Sequence, residues 1–154
     1  MSQYDLIVIG TGSGGFAAAA TAKKHGVKKI LLIEKRRVGY SLCSNEGCMP
    51  SKTLLASAEV MDIASHAREL GIAVSRPKVQ WKKIQERVHD LVEHDFFGAR
   101  RTMITESRMK VVRGSAQFID AHTIQVGKKT YAGKKFVIAT GSVPNMPPIP
   151  GLSE

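Results

Sequence analysis

The two cysteines of this 154-residue chain, Cys43 and Cys48, are five positions apart. Two thiols that can approach each other are able to cycle between a dithiol and a disulfide. In a regular helix this separation corresponds to about 7.5 Å of axial rise, whereas the Cα atoms of a disulfide lie roughly 4.4–6.8 Å apart. The chain between the cysteines must therefore bend if they are to pair, and Gly47 is best suited to supply the bend. This spacing favours a redox pair.

The residues after the second cysteine predict the start of a helix. Pro50 suits a first helical position, because its missing N–H would have no partner there in any case. Cys48 would then lie just ahead of the helix N-terminus, where the macrodipole and the charge of Lys52 stabilise a thiolate. Cys43 is further from that helix. We therefore expect Cys48 to be the stabilised thiolate and Cys43 the more accessible thiol.

Other roles for the cysteines remain open at this point. They could be inert, buried small side chains, or they could form a structural disulfide of a secreted domain. Residues 1–10 lack the basic segment of a secretory signal, which weighs against the second alternative. A zinc site needs about four ligands, and neither a second cysteine pair nor a nearby His-rich pattern accompanies these two.

A glycine-rich turn follows the first predicted strand. Residues 5–10 form an apolar run rich in β-branched side chains, which is typical of a buried parallel strand. Residues 16–25 predict a helix ended by Gly26, and residues 29–34 predict a second buried strand. The turn itself contains the G-x-G-x-x-G pattern at Gly10, Gly12 and Gly15, and also includes Gly14. The order of elements is that of a dinucleotide-binding β-α-β unit.

Each motif residue has a distinct physical purpose in such a unit. Gly10 permits the tight turn, Gly12 lets the backbone approach a pyrophosphate, and Gly15 allows close packing of helix on strand. Glu34, 19 residues after Gly15, can accept hydrogen bonds from a ribose diol. The sequence therefore predicts a dinucleotide site, and by itself leaves both NAD and FAD open.

A third segment, residues 135–142, predicts a short buried strand that ends in the small residues Thr140, Gly141 and Ser142. A Pro-rich run follows, from Val143 to Gly151. Small residues after a strand allow a backbone to lie close to a ligand. The alternative is an ordinary exit from a strand into a loop.

Taken together, these three segments resemble the pyridine nucleotide–disulfide oxidoreductases. The carriers are the glycine turn with Glu34, the run from Cys43 through Cys48 to Lys52, and residues 139–142 with their Pro-rich tail. Pro-Ser-Lys after the second cysteine is most similar to the dihydrolipoamide dehydrogenase and mercuric reductase branches. The resemblance covers essentially the whole chain.

The resemblance implies an α/β fold: a Rossmann-like FAD-binding domain over residues 1–154, with a parallel sheet, a β-α-β start and a small antiparallel meander. Cys43 would be the interchange thiol and Cys48 the flavin-facing thiolate. The implied roles put Glu34 at the AMP ribose, Lys52 near the isoalloxazine ring, residues 114–116 on the adenine side and residues 140–141 near the pyrophosphate. The full set expected to bind FAD is Gly10, Gly12, Gly14, Gly15, Glu34, Lys35, Lys52, Gly114, Ser115, Ala116, Thr140, Gly141 and Ser142.

The chain departs from the family pattern in two ways. Tyr40, Ser41 and Leu42 stand before Cys43, where the family usually has Gly-Gly-Thr, and their bulk could lower FAD affinity or shift the loop. Beyond Ser142 there is no second G-x-G-x-x-G for NAD(P)H and no His-x-x-x-x-Glu of a dimerisation domain. We therefore expect a fragment of an intact, homodimeric parent. The parent would pass electrons from NAD(P)H through FAD to the Cys43–Cys48 disulfide, and on to a small disulfide or a metal ion. The alternative is a truncated or degenerate binding module without turnover.

Composition agrees with an intracellular dinucleotide-binding domain. The net charge of +10 arises from scattered Lys and Arg pairs without a continuous block, so nucleic-acid binding is not predicted, although a basic surface can attract an anionic dinucleotide. With 43% hydrophobic residues and no long apolar run, we expect a soluble globular protein without a membrane span. We expect its location to be cytoplasmic. We assign surface or packing roles to the five histidines.

The remaining pattern predicts helices over residues 51–70 and 79–105. Apolar positions of the second helix, among them Trp81 and Ile84, are expected in the core or in a subunit interface. Strands are predicted over residues 110–118, 123–126, 130–131 and 136–139, with a hairpin turn at residues 127–129.

Overall fold

The computed structural model describes residues 3–143 and 145–152, so Pro144 of the Pro-rich run lies outside the described residues. The strands are β1 (Gln3–Ile9), β2 (Ile30–Glu34), β3 (Lys110–Arg113), β4 (Ala116–Asp120), β5 (Thr123–Val126) and β6 (Lys129–Ile138). The α-helices are α1 (Ser13–Lys24), α2 (Cys48–His66), α3 (Trp81–Asp90) and α4 (Ala99–Glu106). The other helical elements among the described residues are two π-helical segments (Leu42–Glu46 and Leu91–Gly98) and one 3₁₀ turn (Ala67–Leu70).

All six strands belong to one sheet, in the order β3-β2-β1-β6-β5-β4. β1 pairs in parallel with β2 and β6, and β2 pairs in parallel with β3, so four carboxyl ends share one edge of the sheet. β5 pairs antiparallel with β4 and with the beginning of β6. This confirms the predicted α/β fold with a β-α-β start and a small antiparallel part.

Strands β1 and β2 are buried along most of their length, as their continuous apolar sequence predicts. The prediction of a buried strand over residues 135–142 is wrong in its burial, because β6 ends at Ile138, which is 68% exposed. Side chains alternate along β1: Ile7 and Ile9 pack on one face with Ile124 and Val126 of β5. Leu6 and Val8 pack on the other face, in a cluster that includes Ala19 of α1 and Ile104 of α4. The strand that leads to the glycine turn is thus fixed from both sides.

Two strand predictions need correction. The predicted strand over residues 110–118 is divided into β3 and β4, because Gly114 adopts a φ of 146° and redirects the chain. The predicted strands over residues 130–131 and 136–139 are one continuous strand, β6. Glycine suits position 133 of this strand, because a Cβ there would lie only 2.8 Å from the side chain of Ile7.

The helix predictions hold in type and shift at their ends. Helix α2 begins at Cys48, not at Pro50, and continues to residue 70 only as a 3₁₀ turn. Helix α1 begins three residues earlier than predicted, and residues 81–106 form two α-helices joined by a π-helical segment. None of the side chains of α3 is buried, and Trp81 is 56% exposed, whereas Val92 and Ile104 further along the predicted helix are buried. The expected core position is therefore confirmed for Val92 and wrong for Trp81, and a subunit interface stays a prediction. No helix in the described part of the chain has the length and apolar character needed to cross a membrane.

Candidate functional site

The carboxyl edge of the parallel strands brings most of the predicted cofactor residues together. Residues 114–116 follow β3, Glu34 and Lys35 stand at the end of β2, residues 10–15 follow β1, and residues 140–142 follow β6. Chain order reverses beside β1, since β2 lies on one side of it and β6 on the other. In open α/β sheets, ligands bind in the crevice at such a switch point.

Backbone hydrogen bonds join these four segments directly. The N–H of Gly114 donates to the carbonyl of Glu34 at 2.9 Å, and the N–H of Gly10 donates to Ile33 at 2.8 Å. On the other side, the N–H of Ala139 donates to Ile9 at 2.8 Å. The predicted adenine, ribose and pyrophosphate segments therefore lie side by side along the edge. Lys52 stands elsewhere, exposed on α2 one turn beyond Cys48.

Two glycines of the turn are required by their surroundings. Gly10 has a φ of 98°, and a Cβ there would lie 2.2 Å from the carbonyl oxygen of Ala139. A Cβ on Gly15 would lie 1.9 Å from the carbonyl oxygen of Gly10. Both separations are far inside van der Waals contact, so any side chain would force the turn away from β6 or α1 away from β1.

Gly12 is favoured for a different reason. Its φ of −66° is open to any residue, but a Cβ there would lie 3.2 Å from the Cβ of Ser41 and 3.3 Å from the carbonyl oxygen of Tyr40. Gly12 therefore lets the segment that precedes Cys43 approach the glycine turn. It is also the N-cap of α1, which has no side-chain cap and no acidic residue in its first turn. Such a helix N-terminus favours an anion.

Thr11 is a site residue that the sequence motif did not single out. Its side chain is fully buried, and its hydroxyl donates to Oε2 of Glu34 at 2.9 Å while accepting from the N–H of Gly39 at 2.8 Å. Oε1 of Glu34 accepts from the N–H of Arg36 at 2.8 Å. Thr11 thus connects the predicted ribose-binding acid to the segment that leads to the cysteines. A hydroxyl inside a glycine-rich turn was the only sequence signal.

The unusual Tyr40, Ser41 and Leu42 have defined positions. Ser41 caps the π-helical segment: its Oγ accepts from the N–H of Ser44 at 3.1 Å, and its own N–H donates to Oδ1 of Asn45 at 3.0 Å. The guanidinium of Arg36 lies 5.2 Å from the ring centroid of Tyr40, and Leu42 is 47% exposed. Ser41 therefore stabilises the segment by capping it, which glycine could not do.

The two cysteines carry free thiols, and they interact. A hydrogen bond with Cys48, together with burial, raises the pKa of Cys43 above its ordinary value, and the positive charge of Arg100 acts in the opposite direction. Gly47 contributes the bend between the cysteines by donating its N–H to the carbonyl of Leu42 at 2.7 Å. The bend at Gly47 and the interaction of the two thiols suit the pair to disulfide formation.

The predicted order of accessibility is wrong for this chain. Cys48 is exposed, whereas Cys43 is half-buried. The reason is local: Cys43 lies inside the π-helical segment next to the buried Ser44, and Cys48 is the first residue of α2. Among the described residues, no group of three or more His, Cys, Asp or Glu side chains is arranged to hold a metal ion.

Comparison with known proteins places this geometry in context. The model of the family described as pyridine nucleotide-disulphide oxidoreductase matches residues 4–154. Over 153 residues the chain is 38% identical to a dihydrolipoyl dehydrogenase of Mycoplasma pneumoniae, covering 99% of this chain and 33% of that protein. Over 152 residues it is 36% identical to a mercuric reductase of Staphylococcus aureus, covering 99% of this chain and 27% of that protein.

A solved structure shares the fold. It is the Cu(II) complex of the HOCl-induced flavoprotein disulfide reductase RclA from Escherichia coli, with a TM-score of 0.75 and 26% identity, covering 99% of this chain and 32% of that one. The chain thus spans 27–33% of the length of these three proteins.

Proposed function

Because this chain belongs to the pyridine nucleotide-disulphide oxidoreductase family, we propose that residues 1–154 form an FAD-binding domain whose redox disulfide is Cys43–Cys48. One observation carries the proposal: the cysteine-bearing segment lies directly against the glycine turn. The N–H of Gly39 donates to Thr11, and Ser41 lies beside Gly12. A cofactor on the turn would therefore lie close to the thiols.

The residues present fit FAD. The uncapped N-terminus of α1 supplies N–H groups for a pyrophosphate, and Gly14 leaves open space beside it. The carboxylate of Glu34 accepts hydrogen bonds from Thr11 and from the N–H of Arg36. A carboxylate has about four lone-pair sites, so one remains to accept a hydrogen bond from a ribose hydroxyl. Gly114, Ser115 and Ala116 lie next to Glu34 for the adenine side, and Thr140, Gly141 and Ser142 lie next to Gly10 for the pyrophosphate. Lys35 follows Glu34 directly at the end of β2, and we assign it to the same part of the cofactor site. We assign Lys52 to the flavin end.

Bound FAD, once NAD(P)H had reduced it, would supply two electrons to the cysteine pair. Two electrons and two protons break the sulfur–sulfur bond and leave Cys43 and Cys48 as thiols. In the opposite half-reaction, the thiolate of Cys43 attacks a substrate disulfide and forms a mixed disulfide, and one substrate thiol leaves. Cys48 then displaces the second substrate thiol and restores the Cys43–Cys48 bond.

We assign the complete cycle to an intact parent. There NAD(P)H would reduce the flavin, a small disulfide or a metal ion would accept the electrons, and the protein would act as a homodimer. The names of the two relatives, dihydrolipoyl dehydrogenase and mercuric reductase, support these two substrate classes. The rival proposal is a module that holds the dinucleotide without turnover.

The proposal is tested by incubating the purified chain with FAD, removing free cofactor by gel filtration and recording the visible spectrum. Wild-type chain should retain flavin. Gly12→Val should not, because its side chain would displace residues 40–41 and block the approach of a pyrophosphate. Ala17→Val, at an exposed position one turn into α1, is the matched control and should bind like wild type. Retention of NAD but not FAD would refute the proposal.

A further inference from the structure

Arg100, the second residue of α4, contacts both parts of the proposed site. Its Nη1 donates to the carbonyl of Gly39 at 3.2 Å and to the hydroxyls of Ser41 and Ser44, each at 3.3 Å. Its Nη2 donates to the hydroxyl of Ser13 at 3.1 Å. These partners are 56 to 87 positions away in the sequence.

The partners belong to two separate segments. Gly39, Ser41 and Ser44 lie in the segment 39–44, which leads into and contains Cys43, and we call it the cysteine segment. Ser13 is the first residue of α1, where the proposed pyrophosphate site lies. The planar guanidinium carries five N–H donors in a fixed fork, so it can reach both segments at once, whereas an ammonium group lacks that shape.

From these contacts, we propose that Arg100 is a positioning residue that holds the cysteine segment against the N-terminus of α1. Its guanidinium lies 5.8 Å from the ring centroid of Phe16, so it also packs on the side of α1. Because Ser41 caps the π-helical segment that contains Cys43, holding Ser41 also orients that thiol. Where this inference concerns FAD, it rests on the proposed function.

The charge of Arg100 has two further consequences. It adds positive potential at a helix terminus that already favours an anion, which would strengthen the binding of a pyrophosphate. It also opposes the rise in the pKa of Cys43 that Cys48 causes. Substitution separates the effect of the hydrogen-bond geometry of Arg100 from the effect of its charge, because lysine retains the positive charge but lacks the planar guanidinium.

The experiment compares Arg100→Gln and Arg100→Lys with Arg101→Gln, a matched control at the neighbouring exposed position. Three quantities are measured on the 154-residue chain: amide hydrogen exchange of residues 39–47, the pH midpoint for alkylation of Cys43 by iodoacetamide, and FAD affinity. Arg100→Gln should accelerate the exchange, move the Cys43 midpoint to higher pH and weaken FAD binding by about tenfold, as expected for the loss of hydrogen bonds from a charged group.

Arg100→Lys should accelerate the exchange while leaving the Cys43 midpoint near the wild-type value, and Arg101→Gln should match wild type throughout. The inference would be overturned if Arg100→Gln had the same amide exchange rates and the same Cys43 alkylation midpoint as Arg101→Gln. If wild-type chain binds no FAD, the proposed function fails, but exchange and alkylation still decide the role of Arg100. If circular dichroism shows that Arg100→Gln is unfolded, Arg100→Lys decides, and exchange equal to that of the control overturns the inference.

Discussion

Thr11 and Glu34 are joined twice: the backbone N–H and the hydroxyl of Thr11 both donate to Oε2 of Glu34, at 2.8 and 2.9 Å. Both residues are buried. Since the hydroxyl also accepts from Gly39, the pair links the glycine turn, the end of β2 and the start of the cysteine segment. Glu34 is therefore structural as well as a candidate ribose ligand.

Removing the hydroxyl of Thr11 should destabilise the fold. Thr11→Val keeps the shape but leaves a buried carboxylate and the N–H of Gly39 without this partner. We expect the free energy of unfolding to fall by about 1–3 kcal/mol in urea denaturation. Thr105→Val, at an exposed position on α4, is the control and should cost less. Equal losses in the two variants would contradict the linking role of Thr11.

Neighbouring glycines of the turn should respond oppositely to alanine. A Cβ at Gly15 would lie 1.9 Å from the carbonyl oxygen of Gly10, so Gly15→Ala must displace backbone and should cost about 1–3 kcal/mol or more. A Cβ at Gly14 would meet nothing within 4 Å, and alanine should stabilise the first turn of α1 by about 0.5–1 kcal/mol. Thermal unfolding of the two variants checks this, and a lower melting temperature for Gly14→Ala than for Gly15→Ala would contradict the packing described.

Replacing Cys48 should make Cys43 reactive at lower pH. The hydrogen bond with Cys48 is the largest cause that raises the pKa of Cys43, and Arg100 acts to lower it. In Cys48→Ala the raising contact is lost and the guanidinium remains, so the pKa of Cys43 should fall. Only the thiolate reacts with iodoacetamide, and its pH midpoint at Cys43 should therefore move down. Mass spectrometry of the alkylated peptide measures the midpoint, and a rise would show that the two thiols do not interact as described.

The local pattern predicted the parallel strands and the glycine turn because each depends on neighbouring residues. Ile7 and Ile9 alternate with Leu6 and Val8, and such continuous apolar runs are typical of strands buried on both faces. The break at Gly114 was missed because a glycine also occurs inside strands, as Gly133 does in β6 where it packs on Ile7. Only the tertiary fold distinguishes a glycine that ends a strand from a glycine that lies within one.

For the candidate site, too, only the local part could be predicted from the sequence. Its glycines and Glu34 follow a spacing that can be recognised in sequence. The contacts of Arg100 and the link from Thr11 to Gly39 join residues 28 to 87 positions apart, and no local pattern encodes them. Accessibility of the thiols was predicted wrongly because it depends on how the π-helical segment turns Cys43 inward.

Bound FAD and the cysteine pair are expected to exchange electrons. The direct measurement is anaerobic photoreduction of FAD-loaded chain in its disulfide form, followed by quantification of free thiols. We expect electron uptake of about twice that of free FAD, because the disulfide is a second two-electron acceptor, with both Cys43 and Cys48 recovered as thiols. Cys48→Ser should take up no more than free FAD. Uptake by wild-type chain equal to that of free FAD, with the disulfide intact, would contradict the account and favour a binding module without redox function.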